Sequence, residues 1–278
     1  MLGLLRDRPL GSRDAAAVSR ALAADPVSAV MVAARVEAYG LSPRFLGGEL
    51  WTASCPEESL CFSGSNLIPL SGGSADLDHF AERALSGARL CTSVVGPDHL
   101  ALPLWERLAP HWPIPREIRA VQPLLALGGY PVVPVDRQVR LVTAAELEVY
   151  FPAAVEMFIG EVGVDPCAGD GGRSYRRRLA ALIAARRVFA RFDGPRVIYK
   201  AEIGSLSRGV GQIQGVWVDP EYRGRGLGVA GTAAVAAAIA RQGRTASLYV
   251  NDFNVVAREA YRRVGFRQVG TFATVLID

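Results

Sequence analysis

Residues 216–235 read VWVDPEYRGRGLGVAGTAAV. Val216, Trp217 and Val218 close a strand predicted over 211–218, and Asp219-Pro220 stops it. The alanine-rich run that follows predicts a helix to about Arg241. Between them Arg223-Gly224-Arg225-Gly226-Leu227-Gly228 spells R-x-x-G-x-G. That pattern suits a pyrophosphate. Glycines let the backbone approach closely, successive N–H groups converge on oxygens, and the next helix presents its positive end. Arg223 and Arg225 add charge-assisted bonds. The plainer alternative is a flexible basic surface loop.

Gly226-x-Gly228-x-x-Gly231 also satisfies the dinucleotide fingerprint, and Asp252 lies about where a ribose-binding acid would. A dinucleotide fold runs from its strand straight into that fingerprint. Here residues 219–225 intervene, four of them charged, and the surrounding chain is not a series of βαβ units.

Working outward, residues 139–142 read as a short strand, and Thr143 with Glu146 forms a capping box that starts a helix. Pro152 is expected to kink or restart that helix, which continues through Met157 to Ile159. A Gly- and Asp-rich loop covers 160–172; the next segment then puts Tyr175, Leu179, Leu182 and Ile183 on one helical face. Strands over 188–192 and 196–203 flank Asp193-Gly194, a hairpin signal. After the alanine helix come a strand at 246–250, a helix near 254–264 and final strands around 266–277. The order β-α-α-β-β-β-α-β-α-β-β is a mixed α/β sheet domain.

The N-terminal half echoes this order. Residues 14–39 read as helical with a break at Pro26; 49–53, 59–63 and 66–70 read as strands. Ser71-Gly72-Gly73-Ser74 then precedes a helix over 76–85, a strand over 89–95 and a helix over 99–108. Seven prolines between Pro103 and Pro134 predict irregular and edge structure. The domains are therefore drawn as 1–127 and 139–278, with a Pro-containing linker at 128–138.

Composition removes several chemistries. The chain has 278 residues, 50% apolar and 21% charged, with a net charge of +4. Lys200 is the only lysine, so thirty of the 31 basic residues are arginines. The charge is too dilute for a nucleic-acid footprint, which leaves an arginine-rich nucleic-acid binder as a third and weaker reading. The most apolar run, 229–240, is too short to span a membrane, and the opening MLGLLRDRPL shows no secretory leader, so the expected location is the cytoplasm. Cys55, Cys61, Cys91 and Cys167 form no C-x-x-C pair, and His79, His99 and His111 all lie in the N-terminal half. A C-terminal zinc or Ser-His-Asp centre has no histidine to use.

VDPEYRGRGLG together with Asn254-x-x-Ala257-x-x-x-Tyr261-x-x-x-Gly265-Phe266 resembles the GNAT superfamily of acyl-CoA-dependent N-acetyltransferases, over roughly 139–278. The chain as a whole resembles the tandem layout of the mycothiol synthases. The resemblance implies a GNAT fold in the C-terminal half, a smaller degenerate GNAT-like α/β domain before it, and acetyl-CoA as co-substrate without a metal. The pyrophosphate would lie on Arg223 to Gly228, and the pantetheine arm would pair with the backbone of Val216, Trp217 and Val218 where two strands splay. Asn251 or Asn254 would touch the cofactor, although capping alone also explains Asn254. The N-terminal SGGSADLD has two acids and no arginine where RGRGLG stands, so a second cofactor site is not expected there.

Acyl transfer to an amine needs a neutral nucleophile, a held oxyanion and a protonated leaving thiolate. The resemblance gives Tyr261 the last role, against a packed core aromatic with a satisfied hydroxyl. The oxyanion donor is a backbone N–H near Val218. Gln212 and Gln214 stand where many relatives place a basic glutamate. Glu202 is the nearest carboxylate and the candidate base, against a solvated strand residue; Asp278 and a water relay are the other options. Glu161, Asp165 and Asp170 favour a cationic acceptor, whereas Arg173, Arg176, Arg177 and Arg178 favour an anionic one. The chain is therefore expected to acetylate a small-molecule or protein amine, with no nucleic-acid or membrane partner. The alternative is an acyl-CoA-binding regulatory module without turnover.

Overall fold

The computed structural model describes residues 8–278; the first seven residues, on which the reading of the leader rests, lie outside the described part. The chain divides into two compact units. One comprises residues up to Leu125 with Tyr249–Phe253 and Gln268–Asp278, and the other Ala126–Leu248 with Asn254–Arg267.

In the first unit Pro26 falls between α1 (Ala15–Ala24) and α2 (Val30–Tyr39), and a one-turn helix α3 (Pro43–Leu46) follows. β1 (Gly48–Trp51), β2 (Leu60–Gly64) and β3 (Leu67–Ser71) form an antiparallel meander. After the Gly72-Gly73 turn, α4 (Ser74–Leu85) carries the chain over to β4 (Ser93–Pro97), which runs parallel to β3, and α5 (Asp98–Leu108) follows. The proline-rich stretch departs from expectation. Residues Glu117–Leu127 form an eleven-residue strand, β5, and Pro103 lies inside α5. Pro123 removes one ladder donor from β5, but its carbonyl still accepts from the Val250 N–H at 3.2 Å. Two buried clusters fill this unit, one around Phe80, Leu104 and Trp105 and the other around Phe62, Leu46 and Val18.

The second unit opens with β6 (Arg140–Leu141). The predicted cap is present: Glu146 accepts from the Thr143 N–H at 2.9 Å and from its hydroxyl at 2.8 Å. A 3-10 turn then leads into α6 (Leu147–Val162). Pro152 neither ends nor restarts α6, which is assigned as one helix across it; the proline forfeits only its own N–H bond. α7 (Arg173–Ala184) buries Tyr175, Leu179 and Ile183, as its periodicity requires. β7 (Val188–Asp193) and β8 (Arg196–Leu206) pair antiparallel across Gly194-Pro195, with Gly194 at φ +55°, the positive φ that the first position of a type II′ turn demands. β9 (Val210–Val218), α8 (Leu227–Ala240), β10 (Thr245–Tyr249) and α9 (Val255–Val264) complete the unit. Its strand order is β10-β9-β8-β7-β6. α6 and α7 cover one face of the sheet through Tyr150, Phe151, Leu179 and Trp217. On the opposite face α8 lies against β8 and β9.

The end of the chain holds a single strand, β11 (Arg267–Leu276), where two were expected. All but its first residue belong to the first unit, where it lies between β4 and β5 and pairs antiparallel with β4 from Phe272↔Pro97 to Leu276↔Ser93. The contact boundary therefore differs from the contiguous 139–278 domain drawn from the sequence. Phe272, Ala273, Val275 and Ile277 are buried in the first unit's two clusters. No described helix is long and apolar enough to cross a membrane.

Candidate active site

The site begins as a fork between strands. β9 pairs in parallel with β10 only through Val210↔Thr245, Gly211↔Ala246 and Gln212↔Ser247, so Ile213 onward has no β10 partner within this unit. On its other side β9 stays paired with β8, but with an offset. Lys200 faces Trp217 and Glu202 faces Gln214, so Ala201 is opposed by both Gly215 and Val216. That is a β-bulge, with Gly215 at φ +57°, a conformation costing other residues about 1–2 kcal/mol. Val216, Trp217 and Val218 thus lie just past a bulge, held on one edge and unpaired in the sheet on the other.

The glycine–arginine loop follows directly. Asp219 is 3% exposed and caps a 3-10 turn (Pro220–Tyr222) by accepting from the Glu221 N–H. Arg196 anchors this turn, donating to Asp219 at 2.5 and 2.8 Å and to Glu221 at 2.6 Å. Arg223 donates to the Val218 carbonyl and Arg225 to the Glu221 carbonyl, each at 3.1 Å, and both side chains are otherwise exposed. Gly224 and Gly226 sit at φ +75° and +79° in open space, so their role is conformational. The first bond closing α8 runs from the Ala230 N–H to the Gly226 carbonyl, leaving the preceding amides directed out of the helix start. This cradle has the charge, exposure and donors that a pyrophosphate needs. Gly231 has a different purpose: a Cβ there would lie 2.6 Å from the Tyr199 ring, so it sets the approach of α8 to β8. The dinucleotide reading of this glycine is replaced by packing.

In the first unit the corresponding turn is self-occupied. Asp76, in the first turn of α4, accepts from the Gly73 N–H at 2.8 Å, placing a carboxylate where a bound anion would sit.

Tyr261 lies on α9, 8% exposed, with its ring edge-on to Phe266 at 6.2 Å. Among the described residues its hydroxyl has no hydrogen-bond partner, unlike that of a satisfied core tyrosine. Burial, with the charge of Glu161 adding to it, pushes this hydroxyl well above the ordinary tyrosine range. Asn254 caps α9, its Oδ1 accepting from the Ala257 N–H at 3.1 Å. Asn251 belongs to the first unit, where its Oδ1 accepts from Gln122, whose own Oε1 accepts from Thr274.

Glu202 is not a solvated strand residue. It is fully buried on the α6/α7 face of the sheet, as is Lys200. Its Oε1 accepts from Tyr150 at 2.9 Å and pairs with Lys200 Nζ at 3.2 Å; its Oε2 accepts from Gln214 at 3.2 Å, with Arg178 at 3.9 Å. Burial pushes this carboxyl up, but Lys200, Arg178 and the two hydrogen bonds outweigh burial and hold it below the ordinary range. A carboxylate so engaged is a poor proton acceptor near neutrality. Sequence reading also missed the partners of Glu202, because Tyr150 stands 52 positions away. Among the described residues two further polar groups at the fork are buried without partners, Gln212 Nε2 and Ser247 Oγ.

Several of the other candidates have partners of their own. Asp165 accepts from the Cys167 N–H, and Asp170 from the Ser174 N–H at the start of α7. Arg176 pairs with Glu148 and stacks 3.7 Å from the Phe151 ring centroid. Asp278 pairs with Arg116 at 3.1 Å in the first unit. His99 is exposed beside Asp98.

Residues 48–150 match a domain of unknown function (DUF4081), and residues 200–275 match the family described as FR47-like protein. No curated protein matches the chain. Among solved structures, a Drosophila protein is similar with a TM-score of 0.67 at 15% identity, covering 97% of this chain and 98% of its own. A GNAT-family acetyltransferase from Colwellia psychrerythraea matches at TM-score 0.57 and 10% identity over 98% and 99% of the two chains. A GCN5-related N-acetyltransferase from Kribbella flavida matches at 0.55 and 17% over 88% and 95%. With the bulged, forked strand and the glycine–arginine loop in place, these likenesses show that the chain has the fold of the GNAT superfamily.

Proposed function

We propose that the chain is an acetyl-CoA-dependent N-acetyltransferase that moves the acetyl group from the thioester to a primary amine by direct attack. The observation that carries this reading is a continuous run of backbone: the bulge at Gly215, the unpaired edge of Val216 to Val218, and the open Arg223–Gly228 loop on the start of α8. It offers a carbonyl-binding edge and an anion cradle in sequence, which is what a pantetheine thioester joined to a pyrophosphate requires. Arg223, Arg225 and the first amides of α8 hold the phosphates. Val216 and Val218 bind the arm through their main chain, and an N–H near Val218 receives the developing oxyanion. Tyr261, protonated far above neutral pH, donates its proton to the leaving thiolate. The amine arrives neutral or loses its proton to water, since Glu202 is engaged in its buried pair.

That engagement of Glu202 is also what favours the second reading, a module that binds acyl-CoA without turnover. Release of free thiol from acetyl-CoA, measured against a panel of primary amines, decides between them. Amine-dependent release supports the transferase; binding without release against every amine supports the module.

A further inference from the structure

Lys200 stands alone among thirty arginines, and its ammonium is fully buried. Stability does not explain it. Desolvating an ammonium and a carboxylate costs several kcal/mol each, and apolar replacements of buried ion pairs are often neutral or stabilising. The geometry supplies another reason. Besides Glu202 at 3.2 Å, the ammonium donates to the Gly215 carbonyl at 3.1 Å, the residue that forms the β9 bulge, and it lies 5.5 Å from the centre of the Tyr150 ring. We propose that Lys200 is a positioning residue: held by Glu202, it fixes the Gly215–Val216 peptide and so aims the backbone that receives the thioester. This rests on the acetyltransferase reading above.

A peptide unit is planar and trans, so its carbonyl and the following N–H point in opposite directions. Fixing the Gly215 oxygen toward the Lys200 ammonium therefore turns the Val216 N–H away from it. A glycine at positive φ has the most backbone freedom of any residue, and a bulge has lost part of its ladder, so this peptide needs an external restraint. A Cβ on Gly215 would lie 3.1 Å from Lys200 Nζ and 2.9 Å from Met157 Cε, so the bulge residue packs directly against both side chains. Tyr150 from α6, Gln214 from β9 and Arg178 from α7 complete the surroundings and keep Glu202 ionised as the counter-ion.

Two full-length variants test this. Lys200→Met removes the donor but strands the Glu202 charge; Lys200→Met/Glu202→Gln removes both charges, so a fold lost in the first is kept in the second. The probe is acetyl-CoA labelled with ¹³C at its carbonyl, with affinity read by calorimetry and the bound carbonyl stretch by difference infrared spectroscopy. In the unaltered chain the stretch is expected to fall on binding, as the N–H near Val218, set in place by the fixed Gly215–Val216 peptide before it, polarises the carbonyl. In the double variant the affinity is expected to stay within about threefold, since the phosphate loop is untouched, and the shift to be lost. An unchanged shift in the double variant overturns the positioning role and leaves the acetyltransferase reading standing. Failure of the unaltered chain to bind acetyl-CoA removes the acetyltransferase reading itself, and this inference with it.

Discussion

Tyr261 and Gly231 carry the residue-scale expectations, one for chemistry and one for packing. Tyr261→Phe removes a single hydroxyl from a buried ring, so acetyl-CoA affinity should hold while the rate of thiol release falls by about 10²–10⁴-fold. Equal rates in steady-state assays would remove Tyr261 from the proton path. Gly231→Ala brings a methyl to 2.6 Å from the buried Tyr199 ring, and overpacking of this kind costs about 1–3 kcal/mol, visible as a lowered Tm. A Tm equal to that of the unaltered chain would mean that α8 is not pinned there. The helix that carries Tyr261 was legible because its motif is local, running from Asn254 to Phe266. Glu202 and Lys200 were not, because nothing in a strand's own sequence says which helix covers it. Tyr150 and Arg178, which decide the state of Glu202, come from α6 and α7.

For elements, the phosphate loop and the start of α6 make opposite kinds of prediction. Replacing Arg223 and Arg225 by alanine removes two exposed charges, each tied by one hydrogen bond to its own turn. Acetyl-CoA affinity should drop roughly tenfold or more in a calorimetric titration, from two lost charge-assisted contacts. Unchanged affinity would disprove the cradle. At α6 the Arg140 guanidinium, hydrogen-bonded to Glu146, brings its carboxyl down to about 2 from an ordinary 4.5. A depressed carboxyl stabilises the fold above its unfolded value and loses that contribution as pH falls through its folded value. The Tm deficit of Glu146→Gln should therefore be full at pH 7 and shrink between about pH 4.5 and 2. A deficit independent of pH would contradict the pair. The capping box and the hairpin were readable because each is settled within a few residues, although the turn falls on Gly194-Pro195, one residue later than Asp193-Gly194, with Asp193 paired to Arg196. β5 was not, because the prolines around it signalled irregularity while its eleven residues found partners far along the chain.

At the scale of the molecule, the last strand is the feature a linear reading could not place. Strand pairing is long-range, and β11 follows directly on α9 in sequence while its pairing with β4 crosses some 180 residues. Residues 1–127 expressed alone lack Phe272, Ala273, Val275 and Ile277 from both buried clusters. At about 1.5–3 kcal/mol for each large apolar side chain, that loss is comparable to the whole stability of a small domain. The fragment should show no cooperative thermal transition; a sharp one would mean that β11 is dispensable. The two strand–glycine turn–helix series were legible, and so was their difference in charge: Asp76 accepts from the Gly73 N–H in one, while Arg223 and Arg225 stand exposed in the other. If the proposed function is right, the Arg223–Gly228 turn holds acyl-CoA. Calorimetric titration of the full chain with acetyl-CoA, with NAD as the control, tests it most directly. Saturable binding of one acetyl-CoA per chain and none of NAD is expected; absence of acetyl-CoA binding, or binding of NAD in its place, would rule out an acyl-CoA site.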